Sequence, residues 1–154
     1  MKKNYWLFKS EPDVYPIEQL AKDGSTFWDG IRNYQARNTL RDDVQVGDEV
    51  LYYHSRIAPM AAVGTARVVR AGSPDPTQFD KKSKYYDEKA SEEEPRWYGV
   101  DIELGEIFAR PVTLAEMREM KALADMVLLQ KGSRLSIQPV RKKEWTAILK
   151  AGRK

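Results

Sequence analysis

An α+β fold, built as a mainly antiparallel curved sheet or small β-barrel with flanking helices, is predicted by three observations. Aromatic and β-branched runs at residues 5–9, 49–54 and 61–70 read as strands. Capped amphipathic stretches fall both between and after them. The strands are joined mostly by short links, without the regular strand–helix alternation of a doubly wound parallel sheet.

The elements follow in order. Tyr5-Trp6-Leu7-Phe8-Lys9 is a strand that leaves into the turn Ser10-Glu11-Pro12-Asp13. Pro16 suits the first turn of a helix over 17–22, which Asp23-Gly24 stops. Residues 27–30 are a short extended piece, and Asn33 caps a second helix reaching about Asp43. Val46-Gly47-Asp48 turns the chain into the strand 49–54, and 61–70 is its neighbour, with Gly64 marking a bulge or a close backbone approach. A loop at 72–76 leads into a long polar surface excursion over 77–95. Strands at 97–102 and 106–108 flank a turn at Gly105. Thr113 and Glu116 form a capping box for a helix over 114–121. A helix at 125–130, a last strand at 134–140 and a closing helix at 142–149 complete the chain.

At 154 residues the chain suits one domain, spanning 1–154, with a sizeable core. Hydrophobic content of 42% and charged content of 32% are ordinary for a globular protein. No apolar run approaches the roughly 20 residues that span a bilayer, so no membrane partner is expected. The N-terminus has no long apolar segment or cleavage site, so a cytoplasmic location is expected, or a nuclear one in a eukaryote. Absence of cysteine removes disulfides, thiol nucleophiles and thiolate metal ligands. A single histidine removes any multi-histidine metal site, and no phosphate-binding glycine loop occurs, so neither cofactor nor metal is expected. Net charge is only +3, but residues 131–154 carry eight basic residues against Glu144 alone, a local charge of +7. Such an end attracts a phosphate backbone.

The chemistry concentrates in Trp28-Asp29-Gly30-Ile31-Arg32-Asn33-Tyr34-Gln35-Ala36-Arg37-Asn38. A Trp in that polar setting is either a core residue whose indole N–H finds an acceptor, or one wall of a site that stacks a planar ring. Asn33 and Gln35 carry amides able to pair with a base edge, and Asn33 can also serve as the helix cap. His54, at a strand end beside Tyr52, Tyr53, Ser55 and Arg56, is either a hydrogen-bonded structural residue or part of a ligand mouth. Tyr85-Tyr86-Asp87 and Arg96-Trp97-Tyr98 place aromatics beside charge, and one of them is expected to supply a cage wall. In Gly132-Ser133-Arg134, Arg134 suits a phosphate, a base face or a carboxylate.

Taken together, these segments resemble the EVE domain, a member of the PUA-like group that includes the YTH and ASCH domains. The resemblance rests on Tyr5 to Pro12, Trp28 to Asn38, Gly47-Asp48 with Tyr53-His54-Ser55, Tyr85-Tyr86-Asp87, Pro95-Arg96-Trp97, and Gly132 to Val140. It covers nearly the whole chain and implies a PUA-like barrel of five or six strands. It also implies a non-enzymatic module that takes a flipped-out modified base, a methylated or otherwise modified cytosine or adenine, in an aromatic-lined pocket. Carried over by motif, the pocket draws on Lys9, Ser10, Trp28, Asn33, Tyr34, Gln35, His54, Ser55, Trp97 and Arg134. The implied partner is modified DNA or RNA, with a separately encoded nuclease or other effector beside it. The alternative is a small hydrolase of modified nucleosides, as among ASCH proteins, with Lys9, Asp29 and His54 as acid–base groups. The chain departs from the family after His54-Ser55, where Arg56 and Met60-Ala61 replace the usual Asn and Gly-Ile, giving that rim its own shape.

Overall fold

Successive side chains of a strand point to opposite faces, so a strand with both faces covered reads as a continuous apolar run. Tyr5–Ser10 (β1) and Glu49–His54 (β3) are built this way. Trp6, Phe8, Val50 and Tyr52 enter one hydrophobic cluster, while Leu7, Leu51 and Tyr53 enter another on the opposite face. Leu7 and Leu51 are fully buried, each contributing about 1.5–3 kcal/mol. In this computed structural model, which describes residues 3–131 and 135–154, one sheet therefore separates two cores.

Among the described residues six strands lie in the order β2-β5-β4-β3-β1-β6, where β2 is Ser25–Phe27, β4 is Ala61–Pro74, β5 is Tyr98–Thr113 and β6 is Ile137–Val140. The sheet is mixed and not closed: β1 and β3 run parallel, and the other neighbours run antiparallel. The parallel pair follows from the crossover between them. It carries the helices Ile17–Asp23 (α1) and Tyr34–Asn38 (α2), and a π-helical turn, Thr39–Asp43, which buries Leu40. Asp48 ties β1 to the turn before β3, accepting from Trp6 Nε1 at 2.9 Å and from the backbone of Asn4 and Gln45.

The strands β4 and β5 are long because they bend. Ala66, Val68, Val100 and Ile102 feed the first core, whereas Ala62, Phe108 and Val112 feed the second. Register shifts around Gly64 carry the change of face. Gly105 is no turn. It lies within β5 opposite Thr65, whose Oγ1 would stand 2.3 Å from any added Cβ, so the two backbones cross where only hydrogen fits.

The caps behave locally as their chemistry demands. Asn33 Oδ1 accepts from Ala36 N at 2.9 Å and Thr113 Oγ1 from Glu116 N at 3.1 Å, opening α2 and the helix Leu114–Arg118 (α3). The expected Thr113–Glu116 box does not close, because both Glu116 oxygens are engaged by Arg110 at 2.6–2.7 Å. The segment expected as a helix at 125–130 is a single 3-10 turn, Val127–Leu129. The closing helix extends further than expected, Lys142–Arg153 (α4), because Trp145, Ile148 and Ala151 continue its buried stripe. Among the described residues, no helix is long and apolar enough to cross a membrane.

Candidate functional site

Where β1 and β2 end on the side of the first core, a cleft of about 500 Å³ opens. Lys9 and Ser10 reach it from β1, and Phe27, Trp28, Asp29 and Gly30 from the end of β2; Tyr15, Lys84 and Tyr85 close it from the loops. The Trp28 backbone is pinned by its N–H to Val100 O at 2.7 Å. Its ring packs 5.5 Å from both Phe8 and Tyr52 and meets Tyr15 edge-on at 6.4 Å. Only 7% of Trp28 remains exposed. It is at once a core residue and a surface of the cleft.

Tyr85 lies across Gly30, whose φ of +79° is a conformation suited to glycine. A Cβ there would also stand 2.6 Å from the Tyr85 ring. Arg32 holds Tyr85 in place: its guanidinium lies 5.3 Å from the Tyr85 ring and 5.2 Å from the Trp97 ring, and donates to Tyr85 O at 2.7 Å. Beneath it, the fully buried Asp75 accepts from Arg32 at 3.1 Å, from Gly30 N at 2.8 Å and from Thr77.

Two polar groups face the cleft with altered acidity. Burial, and then the Asp75 charge, raise the Asp29 carboxyl above its ordinary value. Burial lowers the Lys9 ammonium below its ordinary value. In both groups burial is the largest cause, which marks them as partly desolvated polar groups at the cleft.

Of the residues expected in the pocket, Lys9, Ser10 and Trp28 share this cleft. Ser55 lines an adjoining cleft together with Lys9, and its N–H donates to Ser10 O at 2.9 Å. Asn33, Tyr34, Gln35 and Trp97 do not line the Trp28 cleft. Asn33 spends its side-chain oxygen on the α2 cap, and Gln35 is exposed. Tyr34 stacks on Trp97 at 4.8 Å, with Arg37 4.8 Å from the Tyr34 ring. Trp97 Nε1 donates to Asp87 at 2.8 Å, so Trp97 backs the wall through Arg32 rather than forming it. Arg134 lies outside the described residues, as do Gly132 and Ser133. The cleft adds Tyr15, Phe27, Asp29, Lys84 and Tyr85, of which Phe27 and Asp29 carried a signal in sequence as the neighbours of Trp28, and Tyr85 as part of Tyr85-Tyr86-Asp87.

His54 is buried behind the cleft. Pro16 has no side-chain acceptor to cap α1, and His54 Nε2 supplies one, accepting from Ile17 N at 3.1 Å. The ring is therefore neutral with its proton on Nδ1, and burial lowers its pKa. A group with a depressed folded pKa takes up protons more readily when unfolded, so stability is full above about pH 6.5 and falls as pH drops through the folded value. Urea titrations of the wild type from pH 7.5 to 5 should show this loss, and His54→Asn should flatten the slope across that window. An unchanged slope would assign the acid sensitivity elsewhere.

Among the described residues no cluster of three His, Cys, Asp or Glu side chains could hold a metal. The bent mixed sheet, its flanking helices and a cleft at the strand ends define an α+β domain of the PUA-like group. The EVE domain pattern matches residues 4–151, and the chain belongs to the EVE domain family. It is 36% identical over 165 residues to thymocyte nuclear protein 1 of Homo sapiens, covering 95% of this chain and 72% of that protein. Among solved structures it is similar to a Pseudomonas putida protein at 45% identity and TM-score 0.92, covering 97% and 99% of the two chains. The human THYN1 protein in complex with DNA containing 5-methylcytosine matches at 35% identity and TM-score 0.91, covering 99% of each chain.

Proposed function

We propose that this chain is a non-enzymatic reader of modified nucleic acid, working as one domain and holding a flipped-out modified base, with methylated cytosine the first candidate, in the Trp28 cleft. The observation that carries the reading is the cleft itself: Phe27, Trp28 and Tyr85 offer aromatic surface around two polar groups, Lys9 and Asp29, in a volume of about 500 Å³. Pockets of roughly 300–1,000 Å³ hold small planar ligands. The likeness to human THYN1, whose structure includes 5-methylcytosine DNA, supports the same choice of ligand.

In this reading the base lies against the aromatic surface, each good stacking contact contributing about 1–3 kcal/mol. Asp29 accepts from the exocyclic amine, as carboxylates do from the N4 of cytosine. Lys9 donates to a ring carbonyl. The methyl group adds apolar contact of about 0.8 kcal/mol, which corresponds to roughly a fourfold preference. Flipping costs a few kcal/mol in a duplex, so single-stranded and mismatched sites bind more tightly than paired ones. Tyr34 and Trp97 then brace the Arg32–Tyr85 wall from behind, Ser55 lines the adjoining cleft, and Asn33, Gln35 and Arg134 are left for the strand outside the base. A separately encoded nuclease or other effector would act on the bound nucleic acid.

The test is a fluorescence-anisotropy screen of oligonucleotides differing only in one base: cytosine, 5-methylcytosine, adenine or N6-methyladenine, in DNA and in RNA, single- and double-stranded. A several-fold preference for one modified base is expected. Equal affinity for modified and unmodified strands across the series would overturn the reader assignment.

A further inference from the structure

Lys9 belongs to two clefts. Besides the Trp28 cleft, it lines a second one of about 500 Å³ on the side of the other core, between the end of β3, the helix α3 and the 3-10 turn Val127–Leu129. The polar groups of this second cleft are one-sided in charge. Lys9, Arg118 and Lys131 line it with Tyr53, Ser55 and Gln130, and no acidic residue does so among the described residues. None of the three cations makes an ion pair among the described residues. Glu116, the acid on the helix that carries Arg118, is held by Arg110 at 2.6 Å. Buried Tyr53 lies within electrostatic reach of Arg118, and burial raises its hydroxyl's pKa to about 12, so the group stays a neutral donor. Three cations without an ion pair among the described residues, with neutral hydroxyl and amide groups beside them, make up the donor set that phosphate oxygens require.

From this continuity we infer that the second cleft is a phosphodiester subsite. It takes the backbone phosphates flanking the base held in the Trp28 cleft, with Lys9 as the residue shared between base and phosphate. The inference rests on the reading of the Trp28 cleft and adds to it the path of the strand. Arg118 and Lys131 are exposed, so the phosphates reach them without any opening of the core. The subsite carries no base information. It sets affinity and register, and its contribution is screened by salt.

The experiment compares two probes, the nucleoside 5-methyl-2′-deoxycytidine and a single-stranded DNA oligonucleotide with one central 5-methylcytosine. Binding of each is measured from 50 to 300 mM salt for the wild type and for Arg118→Ala/Lys131→Ala. Losing two phosphate contacts should lower the slope of log affinity against log salt by about 1.4 for the oligonucleotide and weaken it about tenfold at moderate salt. Nucleoside affinity should stay the same. Arg118→Lys should restore most of the slope. Lys22→Ala/Lys89→Ala removes two exposed charges that line neither cleft and lie outside the basic 131–154 segment, and should leave the slope at the wild-type value. An unchanged slope in Arg118→Ala/Lys131→Ala, or an equal fall in the Lys22/Lys89 variant, would overturn the subsite while leaving the base cleft standing. Failure of the wild type to bind either probe would overturn the base reading and the subsite together.

Discussion

Trp28→Ala is expected to lower folding stability by about 3–5 kcal/mol, the cost of emptying a large aromatic site in a packed core. In a chain of this length that corresponds to a fall in Tm on the order of 10 °C. The ring is 7% exposed and is shared among Phe8, Tyr15 and Tyr52, so alanine leaves a void that these neighbours cannot fill without moving. Loss of oligonucleotide binding by this variant alone would therefore not separate recognition from folding. Trp28→Phe separates them. It keeps an aromatic ring in contact with Phe8 and Tyr52 while shrinking the surface facing the cleft, so it should fold cooperatively yet bind a modified oligonucleotide more weakly. Thermal melts beside binding curves check both halves. A Trp28→Ala protein that melts with the wild type would show that the core does not depend on this ring.

The dual place of Trp28 shows what sequence conveys and what it leaves open. A Trp among Asp, Arg, Asn and Gln is unusual, and that composition together with the family resemblance marked Trp28 as a candidate wall of a site. It did not say which polar neighbours would face it. Asn33, Tyr34 and Gln35 follow Trp28 closely in sequence, but the turn at Gly30 and the start of α2 carry them to the Trp97 side. Tyr85, more than fifty residues away, arrives instead, because Arg32 reaches its carbonyl. Such long-range pairing leaves no periodic trace in the chain. His54 is similar: a histidine at a strand end is legible, but its bond to Ile17 N depends on the start of α1 arriving at the end of β3. β1, β3 and most of β4 were legible because their aromatic and β-branched runs are local properties. The single long β5 was not, since a glycine in a strand pattern reads equally as a turn or as a close approach, and only Thr65 opposite Gly105 decides between them.

Asp75→Ala is the second substitution with a large expected effect, about 3–5 kcal/mol, because it leaves the Arg32 guanidinium without its buried counter-charge. Asp75 is fully buried, with Arg32 at 3.1 Å and further bonds from Gly30 N and from Thr77 N and Oγ1. Its loss also uncaps the 3-10 turn Pro76–Phe79. Since the destabilisation comes mainly from a stranded cation, removing that cation should recover part of it. The double variant Asp75→Ala/Arg32→Met should be more stable than the sum of the single changes predicts, a coupling of about 0.5–3 kcal/mol in denaturant unfolding. The site should respond in step, because Gly30 and Tyr85, which pack against each other at the cleft, are both fastened through this pair. Asp75→Asn, which keeps the shape and removes the charge, should lower the Asp29 pKa only in part, since burial is the larger cause of its elevation. NMR titration of the Asp29 carboxyl reads that change directly. Strictly additive energies would show that the cleft is not organised around this buried charge, and an Asp29 that returns fully to the ordinary carboxylate value in Asp75→Asn would show that the Asp75 charge rather than burial is the main cause of its elevation.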